Sequence, residues 1–240
     1  MINIEQQKFL IGCAIGDGCI SKSKRSESTT LHIQRQYAHV EYAQWQLEQL
    51  NSILGTHAQL KYFKDKGIYP AVRFGVTSKK FLTPIYNLLY PQGKKTLSVE
   101  VLQNLGLKEL ALFWMDDGSL EVRKRIKPSG SVKIERVGWL AVCEDEPTTD
   151  IVGSWIHDLT GSTYTKVCHK TGKFYLKWNT KQLKMLLSSI DEYVLPSLKY
   201  KTDLSRTEKV SDVIRLYNSN KNREITIASR VPRTQSPWDG

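Results

Sequence analysis

The 240-residue chain is poor in cysteine, and its four cysteines (Cys13, Cys19, Cys143 and Cys168) include no C-x-x-C pair. That spacing supports neither a zinc site nor a disulfide framework, and a reducing compartment fits. Cys13 and Cys143 lie among apolar neighbours and read as small core residues. The chain also lacks a long apolar run. The best candidate, from Phe9 to Ile20, is interrupted by Asp17 and falls short of the ~18 residues a spanning helix needs. Its first residues, Met-Ile-Asn-Ile-Glu-Gln-Gln-Lys, lack the charged-then-apolar order of a signal peptide. An intracellular protein is expected, in a bacterial or phage cytoplasm or in an organelle. Negative charge is scarce as well: 35 Lys and Arg against 24 Asp and Glu leave a net charge of +11. That surplus points to a polyanionic partner, and without a membrane segment nucleic acid is preferred over an anionic bilayer.

What the chain does have is a repeat. Residues 9–18 read FLIGCAIGDG and residues 110–118 read LALFWMDDG; the two Asp-Gly pairs lie 100 positions apart. Similar patterns follow each. In the first half, strands are expected over residues 30–36, 57–62 and 71–76, with a helix over 39–54 and another, capped by Thr77 or Ser78, running to Leu89 and stopped by Pro91. In the second half, strands are expected over 119–126, 132–143, 164–169 and 174–178. Helices are expected over 148–159, with Pro147 in the first turn, and over 180–193, capped by Asn179. Each half therefore reads α-β-β-α-β-β-α, a mixed α/β (α+β) fold. The expected units are residues 1–96, residues 97–203, and a tail over 204–240 that starts helix-like and ends polar and loosely held.

The two Asp-Gly ends carry chemistry. As helices, the runs would end at glycines suited to the left-handed position. Asp17 and Asp117 would then face the negative end of a helix dipole, at a cost of roughly 0.3–1 kcal/mol each when exposed. A sequence chosen for stability alone would put Lys or Arg there. This one places Asp at both sites and adds Asp116, so a positive partner is expected, and a hard divalent cation suits carboxylate oxygens. Gly12 and Gly16, four apart on one face, would let the two helices pack closely. Asp17 and Asp117 would then meet, with Gly16 and Asp116 beside them in the metal set. Paired carboxylates holding metal ions suit phosphodiester hydrolysis.

FLIGCAIGDG and LALFWMDDGS resemble the two motifs of single-chain LAGLIDADG homing endonucleases, the second more closely than the first. The resemblance spans most of residues 1–203. It implies two pseudo-symmetric halves packed through their motif helices, with antiparallel sheets forming a saddle over the DNA major groove. It implies Mg2+, two or three ions, at Asp17 and Asp117, with Ca2+ supporting binding but not cleavage. It also implies one basic residue per half near the active centre: Lys95 with Lys94 as rival, and Lys201 with Lys199 as rival. A polar residue that orders water is implied on the second strand, where Gln34 and Gln36 both qualify.

The strands are rich in groups that contact phosphates or base edges. Those expected to meet DNA are Lys22, Lys24, Arg25, His32, Gln34, Gln36, Lys61, Arg73, Arg123, Arg125, Lys133, Arg136, Lys166 and Lys177. If ~6 to 10 phosphates are contacted, affinity should fall roughly 10³–10⁵-fold between 50 and 200 mM salt. The halves differ in sequence, so a monomer on a long asymmetric site is expected. The five histidines form no H-E-x-x-H or H-N-H pattern, and Gly67-Ile68-Tyr69 has no partner of the GIY-YIG kind, so that Gly reads as a hairpin turn. Two alternatives keep the fold: an intron RNA maturase, and a DNA-binding regulator that does not cut. The missing flanking splicing motifs argue against an intein, while an intron or a free-standing gene remains open.

Overall fold

The computed structural model describes residues 2–23, 28–66, 69–126 and 128–207. The expected basic hairpin residues Lys24 and Arg25, the turn at Gly67 and Ile68, and the tail from residue 208 lie outside them.

Helix α1 (Ile4–Ile15) starts with a capping box, in which Asn3 accepts from the Gln6 amide and Gln6 accepts from the Asn3 amide. Strands β1 (Cys19–Lys22) and β2 (Thr29–Gln36) follow, then a 3-10 turn and α2 (Val40–Leu54), which ends at the left-handed Gly55. Next come β3 (Lys61–Asp65), β4 (Tyr69–Thr77) and α3 (Lys79–Leu89), the last capped by Ser78. The connector includes a one-turn helix, α4 (Val99–Leu102), that the sequence reading missed.

The order then repeats: α5 (Leu107–Asp117), β5 (Gly118–Ile126), β6 (Val132–Glu144), α6 (Glu146–Thr160), β7 (Thr165–Cys168), β8 (Phe174–Trp178) and α7 (Thr180–Ile190). Pro147 lies in the first turn of α6, and Asn179 caps α7. Two expectations shift. The strand expected over 57–62 runs instead from Lys61 to Asp65, and α7 stops at Ile190 before a 3-10 turn.

Two antiparallel four-stranded sheets result, in the orders β1-β2-β4-β3 and β5-β6-β8-β7. Alternation decides what each face does. In β2, Thr29, Leu31, Ile33 and Arg35 are buried under the helices, while His32, Gln34 and Gln36 point to the open face. The largest fully buried side chains include Trp114, Trp178, Tyr42 and Phe113. Cys143, expected in the core, is exposed. It sits at positive φ (56°) where the β6–β8 register shifts, and this bulge turns it out of the alternation.

Helices α1 and α5 pack against each other through the small residues noted in the sequence. A Cβ at Gly12 would press on Leu112, and one at Gly16 would collide with Asp116, 2.7 Å from its Cβ. Gly18 and Gly118 act differently from the expectation. Neither has the left-handed conformation. Each is needed because the chain doubles back over its own helix: a Cβ at Gly18 would strike the Cys13 carbonyl, and one at Gly118 would lie 2.5 Å from the Trp114 carbonyl oxygen.

Candidate active site at the paired helix tips

The packed helices bring Asp17, Asp116 and Asp117 to one place. Asp17 lies just beyond the end of α1, with its side chain 41% exposed. The Asp117 carboxyl is pushed up to about 7 by burial, with Asp17 and Asp116 adding to the rise. Burial and Asp116 raise Asp17 too, while Arg35 and the two nearby lysines pull it back. Three crowded acids in a half-buried site favour a proton or a cation.

Part of the positive charge at the helix ends comes from the chain itself. Lys95 donates to the Gly16 carbonyl at 2.7 Å and to the Ile15 carbonyl at 3.4 Å. Lys201 does the same in the second half, donating to the Met115 carbonyl at 2.5 Å and the Asp116 carbonyl at 3.2 Å. Each lysine thus neutralises the carbonyl end of its own motif helix. Burial lowers Lys95, and it lowers Lys201 to about 8. Their rivals point elsewhere. Lys94 is exposed near Glu144, and Lys199 pairs with Asp191 at 2.8 Å.

Arg35 was not among the residues expected at this site. It stands on the apolar face of β2, with its side chain 2% exposed. Its Nη1 donates to Asp17 Oδ2 at 2.7 Å, and its Nη2 to Asp116 Oδ1 at 2.6 Å. Its Nε and Nη2 also donate to Gln46 Oε1, and its guanidinium lies 4.2 Å from the centre of the Tyr42 ring. The Asp116 carboxylate is fully buried and accepts two further bonds, from the Tyr42 hydroxyl at 2.9 Å and the Asp17 amide at 3.0 Å. Asp116, expected in the metal set, thus has both carboxylate oxygens engaged by protein donors. Gly16, also expected in the metal set, has its carbonyl held by Lys95. One signal for Arg35 was present in the sequence, because an arginine in register with Leu31 and Ile33 needs a buried partner.

The open sheet faces begin at these tips. On the first sheet a groove of about 750 Å3 is lined by Asp17 together with His32, Gln34, Lys61 and Arg73. Gln34 thus shares a groove with Asp17, whereas Gln36 lies further along the strand. On the second sheet a groove of about 390 Å3 is lined by Asp117 with Trp139, Ala141, Val167 and Tyr175.

Pairing register sorts the expected DNA contacts. Gln34, Arg73 and Lys61 lie side by side across the first open face, and His32 and Gln36 share it. Arg123, Arg125, Lys133 and Lys177 lie on the second. There Arg123 pairs with Glu121 at 2.7 Å, and Arg125 and Lys133 pair with Glu135 at 3.1 and 2.8 Å.

Three expected contacts are on the wrong face. Lys166 is in register with buried Leu176 and bonds Glu146 and Asp150 of α6. Arg136 is in register with Val122 and reaches the Arg206 carbonyl at 3.5 Å. Lys22 is in register with buried Thr29, at the strand end. Counting charges along a strand missed this period-2 sorting.

The sequence profile of the LAGLIDADG DNA endonuclease family matches residues 7–135, more than half of the chain and both acidic helix ends. The chain belongs to that family. Among solved structures it is similar to the homing endonuclease I-WcaI bound to its DNA recognition sequence, with a TM-score of 0.67 at 18% identity, covering 84% of this chain and 87% of that one. It also resembles I-SmaMI bound to uncleaved DNA target in the presence of calcium ions, with a TM-score of 0.56 at 11% identity, covering 91% and 92%. At these identities the likeness shows the LAGLIDADG fold. A curated relative, Protein RecA of Mycolicibacterium flavescens, is 27% identical over 207 residues, which are 82% of this chain but 46% of the relative. The chain thus spans about half the length of that relative. No G-x-x-x-x-G-K-[S/T] phosphate loop occurs in the chain.

Proposed function

We propose that this LAGLIDADG chain is a site-specific homing endonuclease that breaks both strands of a long, asymmetric DNA site with the help of Mg2+. The observation that carries this reading is the meeting of Asp17 and Asp117 at the ends of two packed helices, each with a lysine behind it and an open sheet face in front. The halves over residues 1–96 and 97–203 would each take one part of the site.

The donor set fits a hard divalent cation. Among the described residues no cluster of three or more His, Cys, Asp or Glu is assembled to hold a metal. Two carboxylates suit Mg2+ when water and substrate phosphate complete its shell, and the crowding of acids here favours a cation. Asp17 and Asp117 would hold it; the count of two or three ions is part of the proposal, as is Ca2+ supporting binding alone. When bound, such ions supply an activated water and neutralise the leaving oxygen.

The chain's own residues do the rest. Lys95 and Lys201 hold the helix ends neutral, so that the acids can converge. Gln34 lines the same groove as Asp17, where it would orient a water. Lys61 and Arg73 next to Gln34, and Lys177 beside Trp139, face the space where a DNA backbone and groove would lie. The two grooves differ in chemistry. The first is lined by Lys61 and Arg73 beside Gln34, whereas the second sets Trp139, Ala141 and Val167, suited to thymine methyl groups, beside Ser119 and His169. That difference supports an asymmetric site read by a monomer.

The test is cleavage of a duplex spanning the empty insertion site of the coding element. Cutting of both strands is expected in Mg2+ and binding without cutting in Ca2+. Asp17→Asn and Asp117→Asn should each lose double-strand cutting, by roughly 10²-fold or more if charge stabilisation is what they provide. Full-rate cutting by both variants would refute the site assignment. Tight binding with no cutting by the wild type would instead indicate a regulator, and a preference for the intron RNA a maturase.

A further inference from the structure

The two halves carry matching acids, but they do not support them equally. Pairing register aligns the strands: Cys19 faces His32 as Ser119 faces Trp139, so Arg35 corresponds to Val142. The Asp-Gly pairs align Gly16 with Asp116. Gln46 and Val152 each lie nine residues before the left-handed glycine that ends their helix. The first half's sheet and helix thus present Arg35 and Gln46 to Asp116, while the corresponding positions in the second half hold Val142 and Val152, both buried. A polar cluster in one half has an apolar counterpart in the other, so the fold does not require the cluster.

We propose that Arg35 is a positioning residue that braces Asp17 alone and makes the two acidic tips unequal. The inference rests on the endonuclease reading above. Arg35 holds the Asp17 side chain at Oδ2, and through Asp116, which Arg35 neutralises, the Asp17 backbone amide is held as well. Asp17 is thereby fixed at two points, with Oδ1 left for a cation. Among the described residues, Asp117 has no hydrogen bond or ion pair to its carboxylate. The guanidinium is rigid: every bond it makes ends on a buried or half-buried acceptor, and Tyr42 covers its face. A brace on one acid should set the rate of the strand cut that depends most on that acid, leaving the other strand to the unbraced tip.

The test compares the two strands. A duplex selected from a randomised library by binding in Ca2+ is labelled on one strand or the other, and single-turnover rates are measured in Mg2+. Arg35→Val with Asp116→Gly copies the other half's residues and avoids leaving either charge buried alone. It is expected to fold, to bind the duplex, and to change the ratio of the two strand rates at least fivefold. Calorimetric titration of the DNA complex with Ca2+ should show weaker uptake. If that pair fails to fold, Arg35→Gln with Asp116→Asn gives the same readings, because it removes both buried charges and the ion pair to Asp17 while keeping an acceptor for the Asp17 amide. A folded variant with an unchanged rate ratio and an unchanged Ca2+ isotherm would overturn the proposal. If the wild type cuts neither strand of a duplex it binds, the endonuclease reading fails and takes the proposal with it.

Discussion

A buried arginine survives in this core because each bond of its guanidinium to the cluster ends on a named acceptor: Gln46, Asp17 or Asp116. The same economy governs the glycines at the tips. A Cβ at position 118 would meet both the ring and the carbonyl of Trp114, which is fully buried. Gly118→Ala should therefore destabilise the fold by about 1–3 kcal/mol, as overpacking does, and thermal melts of the variant will measure it. His39 offers a pH test. Burial, with repulsion from Lys201 and Arg35, lowers it to about 4, and its ring lies 2.9 Å from the Tyr200 hydroxyl. In the unfolded chain it takes a proton near pH ~6.5. Between these values the unfolded state binds the extra proton, so this contribution is complete above pH ~6.5 and declines as pH falls toward 4. Melts from pH 7 down to about 4.5 should show a smaller loss of Tm for His39→Gln than for the wild type; equal losses would contradict the assignment.

Strand alternation decides which charges are available to a nucleic acid. Lys177 lies on an open face, 5.3 Å from the centre of the Trp139 ring, whereas Lys166 is turned to α6 and its acids. Lys166→Ala should leave DNA affinity within about twofold, while Lys61→Ala and Arg73→Ala should each weaken it and reduce the salt slope by about one. Equal effects from all three would contradict the sorting. The element order of both halves was legible in the sequence because the period-2 and helical patterns recur after each Asp-Gly, with Ser78, Pro147 and Asn179 marking helix starts. The lysines at the tips were legible through family resemblance, and choosing Lys95 over Lys94 needed the fold. Arg35 was not identified, because its partners are distant in sequence: Gln46 on α2 and Asp116 on the other half's helix. The donors to the Asp116 carboxylate were hidden for the same reason: Arg35 and Tyr42 stand on the other half's elements.

Across the whole molecule, two halves with the same path and different surfaces meet at one acidic junction. Lys61 and Arg73 on the first open face and Lys177 on the second flank that junction, while Asp17 and Asp117 remain together within it. Such an arrangement makes sense if cations and a DNA backbone complete it. The most direct measurement is anomalous scattering from Mn2+ in crystals of this chain bound to its DNA. The account predicts peaks within coordinating distance of both Asp17 and Asp117, between the carboxylates and the phosphates. Manganese bound elsewhere, with both carboxylates turned to protein partners, would contradict it.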